Sequence, residues 1–389
     1  MTASATPAPR VRARDLGIPL GGTPGPLDSI TDVPGLQVGY QTITRGNGPL
    51  VNGVGPVRTG VTAILPRGRD GVGIPCAAAV HSFNGNGELT GRAWIDESGS
   101  LSMPIALTNS HAVGPVHEGV DAWVHRTHPR VSAQWMLPVV GETWDGYLND
   151  INGRHVRPED AIAALDAATG GPIAEGSVGG GTGMNCYGFK GGSGTASRIV
   201  AHGSATYTVG AFIQANFGAR DELVLGGIAL GRRSSAANGL ENDPWLDVDD
   251  ARARARGGMG SAIIVIATDA PLLPDQCAAL ARRGPLGMGR TGTTGSHFSG
   301  DIVLALSTAN AGALSSRIPR GPATDDDYEQ LRFVPWSFLD AFCTAVVEAV
   351  EESVWNALVA AQDMTGRDDH FSPALPHDEI RAAVARLAR

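Results

Sequence analysis

Runs of apolar, often β-branched residues recur along this chain. They occupy residues 61–65, 77–83, 105–108, 206–214, 223–230, 261–268 and 301–307. A strand with one wet face alternates apolar and polar side chains, whereas most of these runs are apolar at nearly every position and so must be covered on both faces. Helical patterns fill the gaps. Val113, Val116, Val120, Trp123 and Val124 follow the three/four spacing of one helix face. Residues 158–169 open with Pro-Glu-Asp and stop at Gly170-Gly171, and residues 274–283 stop at Gly284. The longest pattern, 336–362, carries the stripe Leu339, Phe342, Val346, Val350, Val354 and Leu358, and a short helix at 378–387 follows a Pro-rich link. Covered sheets plus long helices predict a layered α/β protein, with helices outside two central sheets.

Composition narrows the function. The 53 glycines among 389 residues have no fixed period and are scattered among Val, Ile and Ala, which argues for many tight turns and against collagen or disorder. The net charge is −9 and no basic stripe with interleaved aromatics occurs, so nucleic acid is not an expected partner. Lys190 is the single lysine, which reads as coding bias in an arginine-rich chain. Cys76, Cys186, Cys277 and Cys343 are far apart in apolar contexts and read as buried free thiols. No apolar run reaches membrane-spanning length, and residues 1–11 lack an apolar signal core, so a disordered tail over 1–13 and a cytoplasmic location are expected. Residues 232–256 read as an exposed excursion.

Chemistry concentrates where that excursion ends. Gly257-Gly258-Met259-Gly260-Ser261 runs directly into the apolar strand Ala262-Ile263-Ile264-Val265-Ile266-Ala267. A serine held at a strand start behind a permissive glycine turn is placed to attack the peptide bond preceding it. Breaking Gly260–Ser261 would make Ser261 a chain terminus, with a hydroxyl nucleophile and an α-amine of ordinary pKa about 7.7–8.0 as its base. The plainer alternative is a glycine loop feeding a core strand. Ser299 and Asp301 form a Ser-x-acid pair whose side chains share a face if the segment is extended. The serine would relay hydrogen bonds to Ser261 while the acid orients it or holds the charged amine; a turn-capping Ser-Gly-Asp is the alternative. Asn216, at the end of an apolar run, offers an amide donor for an oxyanion, or is a polar turn residue.

Further segments complete a pattern: Ile30-Thr31-Asp32-Val33-Pro34-Gly35, Glu142-Thr143-Trp144-Asp145-Gly146-Tyr147-Leu148-Asn149-Asp150, Val178-Gly179-Gly180-Gly181-Thr182-Gly183-Met184, Gly188-Phe189-Lys190-Gly191-Gly192, Gln214-Ala215-Asn216-Phe217-Gly218, Gly260-Ser261 running to Ala267-Thr268-Asp269-Ala270-Pro271-Leu272, and Ser299-Gly300-Asp301. In this order and spacing they resemble the DmpA family of L-aminopeptidase/D-esterase and β-aminopeptidase enzymes, from about Arg14 to Asp368. The resemblance implies an αββα sandwich of N-terminal-nucleophile type. It implies one catalytic domain over 14–389, self-processed into intertwined pieces 1–260 and 261–389, and a tetramer of processed protomers. It supports Ser261 as nucleophile and Asn216 as oxyanion donor. It also implies that Tyr147, the family tyrosine, bonds the oxyanion or lines the amine pocket. The family's Ser-x-Glu support pair is Ser299 and Asp301 here, the acid one methylene shorter.

Other motifs yield less. The glycine stretch 178–194 has no Gly-Lys-Ser/Thr and no third spaced glycine, so it is not a phosphate loop. It reads as backbone passing close to substrate or to a neighbouring subunit. His117, Glu118, His125 and His128 lack metal-site spacing, and His297 has no nucleophile elbow to serve. The expected activity is release of N-terminal residues from small peptides, amides or esters through an acyl-enzyme on Ser261, with no metal or cofactor. The rivals are an acyltransferase of the ornithine acetyltransferase type, whose nucleophile is threonine, and a catalytically inert small-molecule binding protein.

Overall fold

A computed structural model describes residues 11–242, 260–316, 318 and 321–389. In chain order its strands are β1 (Gln37–Arg45), β2 (Val57–Leu65), β3 (Cys76–Ser82), β4 (Ser100–Leu101), β5 (Ile105–Asn109) and β6 (Val139–Thr143). Then follow β7 (Asn185–Cys186), β8 (Phe189–Lys190), β9 (Gly192–His202), β10 (Ala205–Asn216), β11 (Gly260–Thr268) and β12 (Ser299–Ser307). Of the two large sheets, one has the order β1-β2-β5-β6 and the other β4-β3-β12-β11-β10-β9. β11 lies parallel to β12 and antiparallel to β10, so the strand that begins at Gly260 is central.

The apolar runs are continuous because each sheet has two dry faces. Ile64, Leu107 and Val139 of the four-stranded sheet meet Phe212, Ile263, Val265 and Leu304 of the six-stranded one. The outer face of the first sheet, with Val61, Ala63 and Val140, packs on helices Val113–Thr127 and Pro158–Asp166 through Val116, Val120, Trp123 and Leu165. The outer face of the second, with Ala211, Ile264 and Val303, is covered by helices Asp340–Ala360 and Pro274–Ala281. Every residue of the predicted stripe Leu339 to Leu358 is buried. Each such side chain contributes about 1.5–3 kcal/mol relative to exposure. This is the expected αββα arrangement.

Several expectations change. Residues 223–230 are not a strand. Gly226 and Gly227 both take positive φ and close a tight turn in which Leu225 and Ile228 exchange backbone hydrogen bonds. Leu223, Leu225 and Leu230 still serve as core anchors, and that accounts for the run's hydrophobicity. Strands β1, β6 and β9 were not legible; β9 opens Gly-Ser-Gly-Thr-Ala-Ser, a composition poor in β-formers. Within the glycine stretch 178–194, residues 179–194 are buried, and the turn Gly179–Gly181 packs closely against strands of both sheets. A Cβ on Gly180 would lie 2.1 Å from Gln214 Oε1 and 2.6 Å from the Leu107 carbonyl oxygen.

The expected tail lies mostly outside the described residues, but its end is fixed. Arg12 pairs with Glu175 at 2.9 Å, and the Ala13 N–H donates to Asn356 Oδ1 at 2.9 Å. Of the expected excursion 232–256, residues beyond 242 also lie outside the described residues; before them run the short helices Leu230–Arg233 and Gly239–Asn242. All four cysteines are buried and free. No helix among the described residues is long and apolar enough to cross a membrane.

Candidate active site

β11 starts under tight steric control. A Cβ on Gly260 would lie 1.9 Å from the Asn216 carbonyl oxygen, so no other residue fits there without moving β10. Ser261 follows, buried, with Asn216 directly opposite on β10 and Gly300 beside it on β12. Paired residues of neighbouring strands point to the same face, so Asn216 and Ser261 share one. It is the face turned to the other sheet, because Ile263 and Val265, in the same parity as Ser261, lie in the core between the sheets. There the Trp144 N–H, just past β6, donates to Ser261 Oγ at 3.3 Å. The Asn216 side chain is pinned by its oxygen: Asn185 N–H donates to Asn216 Oδ1 at 2.9 Å. Its NH2 group is then the amide's remaining polar end, a donor on the same face as the Ser261 hydroxyl.

Ser299 and Asp301 form their expected pair, with Ser299 Oγ donating to Asp301 Oδ1 at 2.7 Å. Asn84 clamps the same carboxyl. Its Nδ2 donates to Asp301 Oδ2 at 2.7 Å, and its Oδ1 accepts from the Asp301 N–H at 2.5 Å. Burial pushes the Asp301 carboxyl above the ordinary aspartate range, against the downward pull of the Ser299 and Asn84 donors. In register, Ser299 lies beside Gly260 and Asp301 beside Ala262. By parity both side chains are on the helix side of the sheet, with Ile264 and Val303, and Ser261 Oγ is on the other. The relay from Ser299 to the Ser261 hydroxyl therefore does not form in this geometry. The pair instead flanks the backbone of the Gly260–Ser261 peptide.

Tyr147 is buried and stacks on His370 with centroids 4.7 Å apart, its hydroxyl directed at the Phe371 carbonyl at 3.5 Å. His297 is exposed and its ring lies against Phe298. His117 pairs with Asp121 at 3.4 Å, and no group of three or more His, Cys, Asp or Glu among the described residues is arranged to hold a metal.

Comparison with known proteins identifies the lineage of this arrangement. The sequence matches the model of peptidase family S58 over residues 28–372. The chain belongs to peptidase family S58. A beta-peptidyl aminopeptidase BapA from Sphingosinicella microcystinivorans is 43% identical, covering 100% of this chain and 96% of that protein. The L-aminopeptidase D-Ala-esterase/amidase of Ochrobactrum anthropi, a prototype of the serine aminopeptidases with a variant of the Ntn hydrolase fold, superposes with a TM-score of 0.86 at 41% identity, covering 97% of this chain and 99% of that one. A β-aminopeptidase from a Burkholderia species gives a TM-score of 0.85 at 40% identity over 97% and 99%. This S58 member is thus a serine aminopeptidase/amidase with an α/β fold of the Ntn hydrolase type. Membership sets it with hydrolases rather than with ornithine acetyltransferases or inert binding proteins.

Three features around this candidate site escape sequence reasoning. Asn84 sits in Asn84-Gly85-Asn86-Gly87, which reads as a turn, and nothing local ties it to Asp301. Trp144 reaches Ser261 through its backbone N–H, which no side-chain pattern reports. Lys190 is fully buried, not solvated. Its Nζ donates to the carbonyls of Met184 at 2.6 Å, Gly191 at 3.0 Å and Gly181 at 3.4 Å. A lone lysine between Phe189 and Gly191 in a glycine stretch was the available signal. Burial lowers its ammonium to about 7 and raises the carboxyl of the equally buried Asp145 to about 7, with attraction between the two opposing both shifts.

Proposed function

We propose that this aminopeptidase cuts itself at Gly260–Ser261 into pieces 1–260 and 261–389, and that the freed Ser261 then removes N-terminal α- or β-amino residues from small peptides, amides and esters. In processing, Ser261 Oγ adds to the Gly260 carbonyl carbon, the C–N bond breaks as its nitrogen takes a proton, and water hydrolyses the resulting ester. In turnover the free α-amine takes the hydroxyl proton, Oγ attacks the substrate carbonyl, and the proton passes to the departing amine. Water then releases the acyl group with the same amine as base.

The observation that carries this reading is the placement of Ser261: opposite Asn216, one residue after a position where only glycine fits, with Ser299 and Asp301 along the adjoining backbone. The Asn216 NH2 group stabilises the oxyanion, the Trp144 N–H orients Oγ, and Asp301, through Ser299, holds the α-amine as it cycles through its charged form. Tyr147 lines the pocket for the substrate amine. The names of the relatives support both α- and β-amino substrates. A cytoplasmic tetramer of processed protomers completes the reading, on the strength of the sequence and the family resemblance.

Intact mass and N-terminal sequencing test it. Two co-purifying pieces are expected, the smaller beginning Ser-Ala-Ile-Ile, with hydrolysis of alanyl or β-alanyl p-nitroanilide. A chain that stays at full mass yet turns over substrate would overturn the mechanism.

A further inference from the structure

Lys190 has no place in the chemistry just described, yet its position is costly. An ammonium removed from water must recover its hydration through hydrogen bonds, and three backbone carbonyls converge on it. They come from two segments: Gly181 ends the turn Gly179–Gly181, while Met184 and Gly191 flank the β7–β8 hairpin. Lys190 therefore ties the hairpin to the turn wedged between the sheets. Within the hairpin Lys190 pairs in register with Asn185. The Asn185 N–H is the group that holds Asn216 Oδ1, and the Asn185 side chain is itself held by Ser372 Oγ at 2.5 Å. The buried carboxyl of Asp145 supplies the opposing charge, and its Oδ1 accepts from Asn149 Nδ2 at 3.0 Å. Asp145 directly follows Trp144, whose N–H reaches Ser261.

We propose that Lys190 is a positioning residue for the reaction: by gathering the carbonyls of Gly181, Met184 and Gly191 it fixes the hairpin whose Asn185 N–H sets the Asn216 amide opposite Ser261. Without the ammonium, the Met184 and Gly181 carbonyls keep only their backbone donors, the N–H groups of Gly191 at 2.9 Å and Met184 at 3.4 Å, and the cross-tie between hairpin and turn is lost; the hairpin relaxes, and the Asn216 amide is free to turn its oxygen toward the developing negative charge. A hydrophobic side chain of similar length fills the volume but cannot satisfy the carbonyls. The inference rests on Asn216 acting as oxyanion donor.

A double-mutant cycle on the processed enzyme with β-alanyl p-nitroanilide tests it. Lys190→Met should lower kcat about tenfold with KM within about twofold, and adding Asn216→Ala should then cost at least about tenfold less than Asn216→Ala costs in the wild type. A residue that only stabilises the fold would shift Tm, leave the kcat of the folded enzyme near wild type, and give losses that multiply; that result overturns the proposal. If Lys190→Met does not fold, the cycle is run on Asp145→Asn/Lys190→Met, which removes both buried charges together. If Asn216→Ala alone leaves turnover unchanged, the oxyanion reading falls and takes this inference with it. If Asn216→Ala is damaging but the two losses multiply, only this inference falls.

Discussion

The two faces of β11 at Ser261 are built from opposite kinds of group. Toward the four-stranded sheet, Ser261 Oγ accepts from the Trp144 N–H, and the Asn216 amide lies on the same face across the register. Toward the helices, beside Gly260, lies the Asp301 carboxyl, an acceptor held by the Ser299 hydroxyl and the Asn84 amide. Donors suit negative charge developing on oxygen, and a carboxyl with its hydroxyl partner suits a cation. The two-residue period of a strand separates them: a serine's hydroxyl takes one face, and residues on the next strand in register with the preceding glycine take the other. In the self-processing proposed above, the hydroxyl of Ser261 and its freed amine would draw on two environments of opposite sign without mixing them.

Removing the nucleophile is the severest way to break this comparison. Ser261→Ala should remain uncut and inactive, because cleavage and turnover both need the hydroxyl; the measurement is intact mass followed by a p-nitroanilide assay. Normal maturation of that variant would move the scissile bond elsewhere.

The donor face alone is addressed by Asn216→Ala, which should lower turnover by about 10²–10³-fold with the fold intact, the scale of one oxyanion donor. Steady-state kinetics with circular dichroism as a fold control decide it, and wild-type kcat would take Asn216 out of the site.

Substrate chemistry sharpens the acceptor side. Blocking the substrate's amine by acetylation should reduce kcat/KM at least about a hundredfold, or about 2.7 kcal/mol, in paired assays with one leaving group. Equal values for free and acetylated substrates would point to an endopeptidase or a general esterase.

The smallest effect probes the clamp on Asp301. Asn84→Ala removes the donor to the Asp301 carboxyl and the acceptor for the Asp301 backbone N–H, and should cost about tenfold in turnover. The pH profile separates the roles. Burial raises the Asp301 pKa, so the carboxylate is lost on acidification at a higher pH than an ordinary aspartate, and activity that needs it should fall from that higher pH. Asn84 is one of the groups holding the pKa down, so Asn84→Ala should move this acid limb further up, and Asp301→Asn should abolish it. An unmoved limb in Asn84→Ala would remove the clamp from the mechanism.

Much of the fold was legible because burial on two faces leaves a mark in every residue of a strand. Residues 261–268 and 301–307 could hardly be anything but central strands, and the Leu339 to Leu358 stripe could hardly be exposed. Residues 223–230 carried the same apolar mark for another reason: their leucines anchor a tight turn, and Gly226-Gly227 was the overlooked breaker. In the candidate site, order and spacing single out Ser261, Ser299, Asp301 and Asn216, and the register of three strands brings them together. They do not single out Asn84, because a turn asparagine looks the same whether or not a carboxyl from a distant strand comes to meet it.

The amino-acid sequence alone determined the layers, the strand that starts at Gly260–Ser261, and the pairing of a serine with an acid two residues on, since these depend on local periodicity and residue chemistry. Only the tertiary structure decided which face each group occupies and what stands behind it. Register between β10, β11 and β12 put the Ser261 hydroxyl with Asn216 and away from Asp301. The convergence of three carbonyls turned a solitary lysine into a buried tie. These follow from contacts between segments far apart in the chain, whose alignment is fixed by the packing of two whole sheets and is written in no single stretch of sequence.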